Sequence, residues 1–259
     1  MTTEEFSVEF DTLYNNIKSQ SAPGLDEYEK SVFLTKAQEE IVKGYFNPKS
    51  NDNQEGFDDS IKRQVDFANI VDVDTPDQLT VSAEQKIDPR GVLYSVPGEM
   101  WFPINEFVSQ KDTSDDTSPY TALGRRLVVI PLTYEEYARL MSKPYTQPLK
   151  RQAWRLFHRD SGTVRYAEII INNNLTIFET SDADDSGGYT IRYVRRPQPI
   201  ILESIASDSL TINGVSAKTE CELDDLIHRE ILDRAVELAK IHYTSGQPAD
   251  ILTVNRRNE

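Results

Sequence analysis

Asp182, Asp184, Ser186 and Gly187 stand at the spacing of the first half of a calcium-binding loop. Such a loop takes oxygen ligands from positions 1, 3 and 5 and needs glycine at position 6 to turn sharply. Its twelfth position must supply a bidentate glutamate, and here that residue is Tyr193, inside a strand-like run. These residues therefore predict a polar hairpin loop and no metal site. The histidines His158, His228 and His242 have no ligand spacing, and their surroundings predict surface or half-buried side chains. A serine nucleophile would need an elbow such as GxSxG, which the chain lacks. Paired carboxylates for glycoside hydrolysis need to be close only in space, and among 43 acidic residues such pairs arise by chance. The chemistry that remains predicts no catalytic residue, no cofactor and no metal.

Residues 139–171 carry seven basic and two acidic side chains, a reversal within an acidic chain, and Trp154, Phe157 and Tyr166 interleave with them. Such a mixture can stack on bases and neutralise phosphates, or it can dock a protein. A net charge of −15 opposes general nucleic-acid binding, which needs a basic excess. Protein contact is therefore the expected role. Arginine and aromatic residues are enriched at interface anchors, so Arg151, Trp154, Arg155, Arg192, Arg195 and Arg196 are expected to face a partner.

The elements that position these residues centre on residues 189–202, YTIRYVRRPQPIIL. Tyr189, Ile191 and Tyr193 alternate with polar positions, the period of a half-buried strand. Pro197 and Pro199 lack ladder donors, so this strand is expected to leave the sheet as an edge or a crossover. Upstream, helices are predicted over 3–20 (Phe6, Phe10, Leu13 or Tyr14, and Ile17 inward) and over 26–46 (Phe33, Leu34, Ala37, Ile41, Val42 and Tyr45 inward). A third starts near 58, with Ile61, Val65 and Ala68 on one side. Strand-like runs begin near residue 78, broken by a short helix over 134–141. The last helix, 223–245, is apolar around more than half its circumference through Ile227, Ile231, Leu232, Ala235, Val236 and Leu238. Such a helix must pack on more than one neighbour.

The fold class expected is α+β: a helical bundle of N- and C-terminal helices carrying an inserted, mostly antiparallel β domain. The divisions fall at 1–77, 78–220, 221–246 and an extended tail, 247–259. In that tail only Ile251, Leu252 and Val254 offer apolar anchorage, beside Arg256 and Arg257. Backbone ordering costs on the order of 1–2 kcal/mol per residue, and three aliphatic side chains at roughly 1.5–3 kcal/mol each do not offset it. The tail is therefore expected to become ordered only against a neighbour. One cysteine, Cys221, excludes an internal disulfide framework and suits a reducing compartment. No run is long enough to span a bilayer, and the acidic start MTTEEFSVEF is no signal peptide.

A strand ending in arginines and Pro-x-Pro, followed by the helix ELDDLIHREILDRAVELAK, resembles the head-to-tail connector proteins (adaptor or neck ring proteins) of tailed bacteriophages. LDEYEKSVFLTKAQEEIVKGYFN (25–47) and PLTYEEYARLMSKPYTQPLKRQAWRL (131–156) are similar to virion structural proteins of crAss-like phages. The resemblance runs from about residue 25 to 243 through the order of several stretches. It implies a non-enzymatic virion protein, assembled in the host cytoplasm, forming a cyclic homo-oligomer that is usually twelvefold. It implies as partners the portal protein and adjacent neck or tail rings, with DNA passing through the channel without specific binding, and no membrane. Two other readings predict different properties. A phage-borne carbohydrate-processing enzyme would need two carboxylates about 5–10 Å apart in a cleft, and a monomeric binding module would stay a monomer in solution.

Overall fold

The structure is a computed structural model that describes residues 1–15, 24–46, 61–79, 86–111, 125–143, 146, 148, 152–159, 165–172, 176–177, 188–205 and 210–244. Among them stand the helices α1 (Thr3–Asn15), α2 (Glu27–Phe46), α3 (Ile61–Asp66), α4 (Tyr134–Met141) and α5 (Asp225–Thr244). The strands are β1 (Val71–Asp74), β2 (Gln78–Leu79), β3 (Val92–Ser95), β4 (Met100–Lys111), β5 (Arg125–Pro131), β6 (Gln152–Arg159), β7 (Arg165–Ile170), β8 (Thr176–Ile177) and β9 (Tyr189–Arg195). The fold is mixed α+β. It divides into two compact units, one of Met1–Ile70 with Arg196–Glu259 and one of Val71–Arg195.

In the first unit each long helix starts on a side-chain cap. Thr2 Oγ1 accepts from Glu5 N while Glu5 reaches back to Thr2 N, a capping box. Asp26 Oδ1 accepts from Glu27 N, and Asp224 Oδ1 from Leu226 N. Phe6, Phe10 and Tyr14 are buried on α1, so Tyr14 rather than Leu13 continues the stripe. α5 packs against both α1 and α2, which uses its wide apolar surface: Ile227, Ile231, Leu232, Ala235, Val236, Leu238 and Ala239 are all buried. Lys30 on α2 is buried too, held at 2.7 Å by Asp11 and 2.8 Å by Glu27. The side of α3 on which the spacing groups Ile61, Val65 and Ala68 is not carried as one buried stripe. Val65 and Ala68 are exposed, because the helix stops at Asp66 and a single 3-10 turn swings Phe67 and Ile70 inward instead.

In the second unit the sheet runs β1-β9-β4-β5-β6-β7-β3-β2, with β8 added on β4. Every described pair is antiparallel except β5 and β6. A parallel neighbour requires a crossover, and α4 lies within it, entered through a Thr133–Glu136 capping box. Tyr137 of α4 buries Trp154, Leu156 and Ile170 on one face, while Leu127, Val129, Ala153, Ala167, Ile169, Tyr189 and Ile191 belong to the core of the other. Pro103 lies in β4 beside a register shift, where a strand tolerates a missing donor. The sheet curls: the rings of Tyr94 on β3 and Tyr189 on β9 lie 5.2 Å apart although four strands separate theirs in the order. The edge position expected for β9 is corrected, since the strand is interior, between β1 and β4. The prolines fall after its last residue, Arg195, and so cost the ladder nothing. β1 is a strand where the sequence pattern predicts none: its four residues, VDVD, lie within 1–77, expected to be helical.

Candidate assembly interface

Arg155 is the side chain on which the docking expectation and the structure part. It sits on β6 and is only 5 % exposed, with Trp154 beside it at 6 %. Arg155 Nε lies 3.0 Å from Glu106 Oε2 but makes no hydrogen bond there, so the contact is an ion pair. Tyr189 Oη donates to the same carboxylate at 2.9 Å, and the guanidinium carbon sits 3.6 Å above the Phe157 ring. Burial pushes the Glu106 carboxyl up against the pull of Arg155 and Tyr189, and pushes Arg155 down. Trp154 and Arg155, expected at an interface, are thus buried within the chain itself. Alternation on β6 sends Trp154 under α4 and its neighbour Arg155 to the opposite face, toward Glu106.

A second polar cluster pins residues 87–91. Glu168 is fully buried and accepts from the backbone of Ile87 at 3.0 Å and of Asp88 at 2.9 Å. A Cβ at Gly91 would stand 2.1 Å from Glu168 Oε1, so only glycine fits this approach. Asp88 in turn accepts from Arg90 Nε at 2.8 Å and from Tyr137 Oη at 2.9 Å. Burial first, and the Asp88 charge with it, push the Tyr137 hydroxyl up to about 12. His158 stands 3.4 Å from Glu168, yet burial holds its pKa below the ordinary value, so the ring is neutral near pH 7. These bonds tie a loop to the sheet, while His158 Nε2 is buried without a hydrogen-bond partner. Among the described residues no group of His, Cys, Asp or Glu could hold a metal ion.

The stretch after β9 shows what Pro197 and Pro199 accomplish. In an extended chain every second residue presents its N–H to one side, and here those residues are 198, 200 and 202, none of them proline. Gln198 N donates to Glu222 at 3.0 Å, Ile200 N to Thr35 Oγ1 at 3.1 Å and Leu202 N to Ser31 Oγ at 3.0 Å. Gln38 Nε2 donates to Gln198 O at 3.3 Å. Ser31, Thr35 and Gln38 recur at i, i+4 and i+7, one stripe of α2, and all three are buried. On its other side Ile201 exchanges backbone bonds with Thr219, both 3.1 Å.

Of the arginines expected to face a partner, Arg195 is held by Asp72 at 3.0 Å and Arg196 by Glu39 and Asn213, both at 2.7 Å. Arg192 lies half-buried, opposite Val73 of β1 and Asn105 of β4. Burial works to raise the Glu39 pKa, but Arg196, Asn213 and Lys43 outweigh it and bring it down. Asn213 and Gly214 form a two-residue turn with φ of 54° and 84°, the left-handed pair that the dipeptide Asn-Gly favours. That dipeptide is a readable signal that the turn exists, though not that Asn213 meets Glu39. The polar stripe of α2 is a weaker one, since buried Ser and Thr look like surface residues in a sequence. Arg151, Ile251, Leu252, Val254, Arg256, Arg257 and the loop containing Asp182 and Asp184 lie outside the described residues. No helix among the described residues is long and apolar enough to cross a membrane.

Residues 1–250 match the family described as phage tail ring protein 3/4. The chain is 45% identical over 253 residues to Ring protein 4/5 of Bacteroides phage crAss001, covering 97% of each chain. It is 32% identical over 244 residues to Ring protein 3 of the same phage, covering 94% of this chain and 97% of that one. The resemblance to virion structural proteins of crAss-like phages thus extends along nearly the whole length, and the chain belongs to the phage tail ring protein 3/4 family of crAss-like phages.

Proposed function

We infer that this structural ring protein builds one closed ring in the neck of the particle, below the portal, joining head to tail around the DNA channel. The observation that carries the reading is the full-length match to proteins named as rings. The ring is a cyclic homo-oligomer, twelvefold, closed by heterologous contacts in which one patch of each copy meets a different patch of the next. Its faces meet the portal protein and the adjacent neck or tail rings, and it assembles in the host cytoplasm. The terminal helices form a bundle, the β-rich part is an insertion in it, and the tail from 247 is an assembly arm. Arg151, Arg192, Arg195, Arg196 and the tail contribute the contacts. The net charge of −15 supports a channel that holds no phosphates, because an acidic wall lets the duplex slide. The role is geometric, and no reaction is assigned to it.

Electron microscopy of the purified chain, and of particles with this chain located, tests the reading. Closed rings with a central opening and one subunit number are expected, placed between portal and tail. A chain that stays monomeric at every concentration, or a location away from the neck, overturns it. Deleting residues from Gln247 onward is expected to spare folding and impair ring formation or docking.

A further inference from the structure

β1 is one end of the sheet, paired on one side with β9 over Val71–Asp74. The opposite end, β2, has two residues, so β1 is the longer of the two edges among the described residues. An edge strand leaves alternate backbone N–H and C=O groups pointing outward and is a template for an added strand. Residues directly opposite in a ladder share a face. Val73 therefore lies on the face of Arg192, and Asp72 and Asp74 lie on the face of Tyr193 and Ile191. Val73 is 64% exposed, an apolar side chain where a charge is the usual guard. Two such edges brought together would oppose aspartates to aspartates, and like charges across a ladder are destabilising. The edge rejects its own kind and favours a strand with aliphatic and basic residues.

The C-terminal segment meets that requirement. In residues 250–257, DILTVNRR, a two-residue period puts Asp250, Leu252, Val254 and Arg256 on one face and Ile251, Thr253, Asn255 and Arg257 on the other. We propose that β1 accepts the C-terminal arm of a neighbouring copy, residues 250–257 adding as an outer strand with Val254 against Val73 and Arg257 on the face of Asp74. The proposal rests on the ring reading, which is why the donor is the neighbour. A closed ring needs a patch and a different counter-patch on every copy, and an arm with its acceptor edge is such a pair. Residues 245–257 reach at most roughly 45 Å when extended, enough to cross to an adjacent subunit.

The test uses the full chain with its sole cysteine removed, Cys221→Ser, carrying Val73→Cys and Val254→Cys together, oxidised under conditions in which the parent forms rings. A ladder of covalent multimers on a denaturing gel is expected, nearly lost when only one of the two cysteines is present. Rings that form without the cross-link overturn the arm, and so does a product that is only an internally linked monomer, which would put the arm on its own strand. A second pair reads the charge. Asp74→Arg is expected to reduce ring yield several-fold, and Arg257→Asp in the same chain to restore it; yield that does not recover overturns the pairing. A parent chain that is monomeric throughout overturns the ring reading itself, and the arm with it.

Discussion

The Thr35 hydroxyl satisfies both backbone groups of one residue: it donates to Ile200 O at 3.3 Å and accepts from Ile200 N at 3.1 Å. Both residues are buried, so neither backbone group has water to fall back on. Thr35→Val keeps the shape and removes the hydroxyl. It is expected to cost about 2–6 kcal/mol, since each of the two stranded buried groups carries a penalty of about 1–3 kcal/mol. Thr35→Ser should retain most of the stability. Urea unfolding of the three proteins decides it, and a valine variant as stable as the parent would show that the strap is held by packing alone.

Arg155 and Glu106 are expected to behave as a unit. Removing one partner of a buried ion pair leaves an uncompensated charge, at about 3–5 kcal/mol. Arg155→Met alone should therefore destabilise strongly. Glu106→Gln in the same chain should recover most of the loss, because the amide oxygen that replaces the carboxylate can still accept from the Tyr189 hydroxyl. A double-mutant cycle in denaturant measures the coupling. Additive losses would mean that the two charges do not sense each other.

Asp88 makes a pH prediction. Burial works to raise its pKa, but Arg90 and Tyr137 outweigh it and hold the carboxyl below its ordinary value of 3.8. A folded-state pKa below the unfolded one contributes stability at higher pH that is lost as pH falls through the folded value. Asp88→Asn should therefore cost most near pH 7, and the gap between variant and parent should narrow below about pH 4. Unfolding midpoints at neutral pH and in the acid range test this. A gap that is constant across the range would remove the charge from the explanation.

Ile231 is fully buried on α5. Ile231→Asp places a carboxylate there without a partner and is expected to cost several kcal/mol or to shift its pKa upward until it is neutral. Thermal melts compare the two chains. Identical melting curves would contradict the packing of α5 on α1 and α2.

The sequence by itself determined the elements that rest on local physics. The 3.6-residue stripes of α2 and α5, the Tyr189–Ile191–Tyr193 alternation and the bounds of α4 at 134–141 all follow from spacing and capping within a few residues. It also carried the several stretches on which the resemblance to virion proteins of crAss-like phages rests. The tertiary structure decided where polar residues go. Thr35 and Ile200 are 165 positions apart, and no local pattern tells a buried Thr that completes a distant backbone from one in water. Arg155 reads as a surface cation because lone arginines usually are, and only the approach of Glu106 and Phe157 makes its burial tolerable. β1 is hard to read because VDVD has half the apolar content of a core strand. Its strand character comes from the ladder with β9, and a ladder is a property of two segments, which neither contains alone.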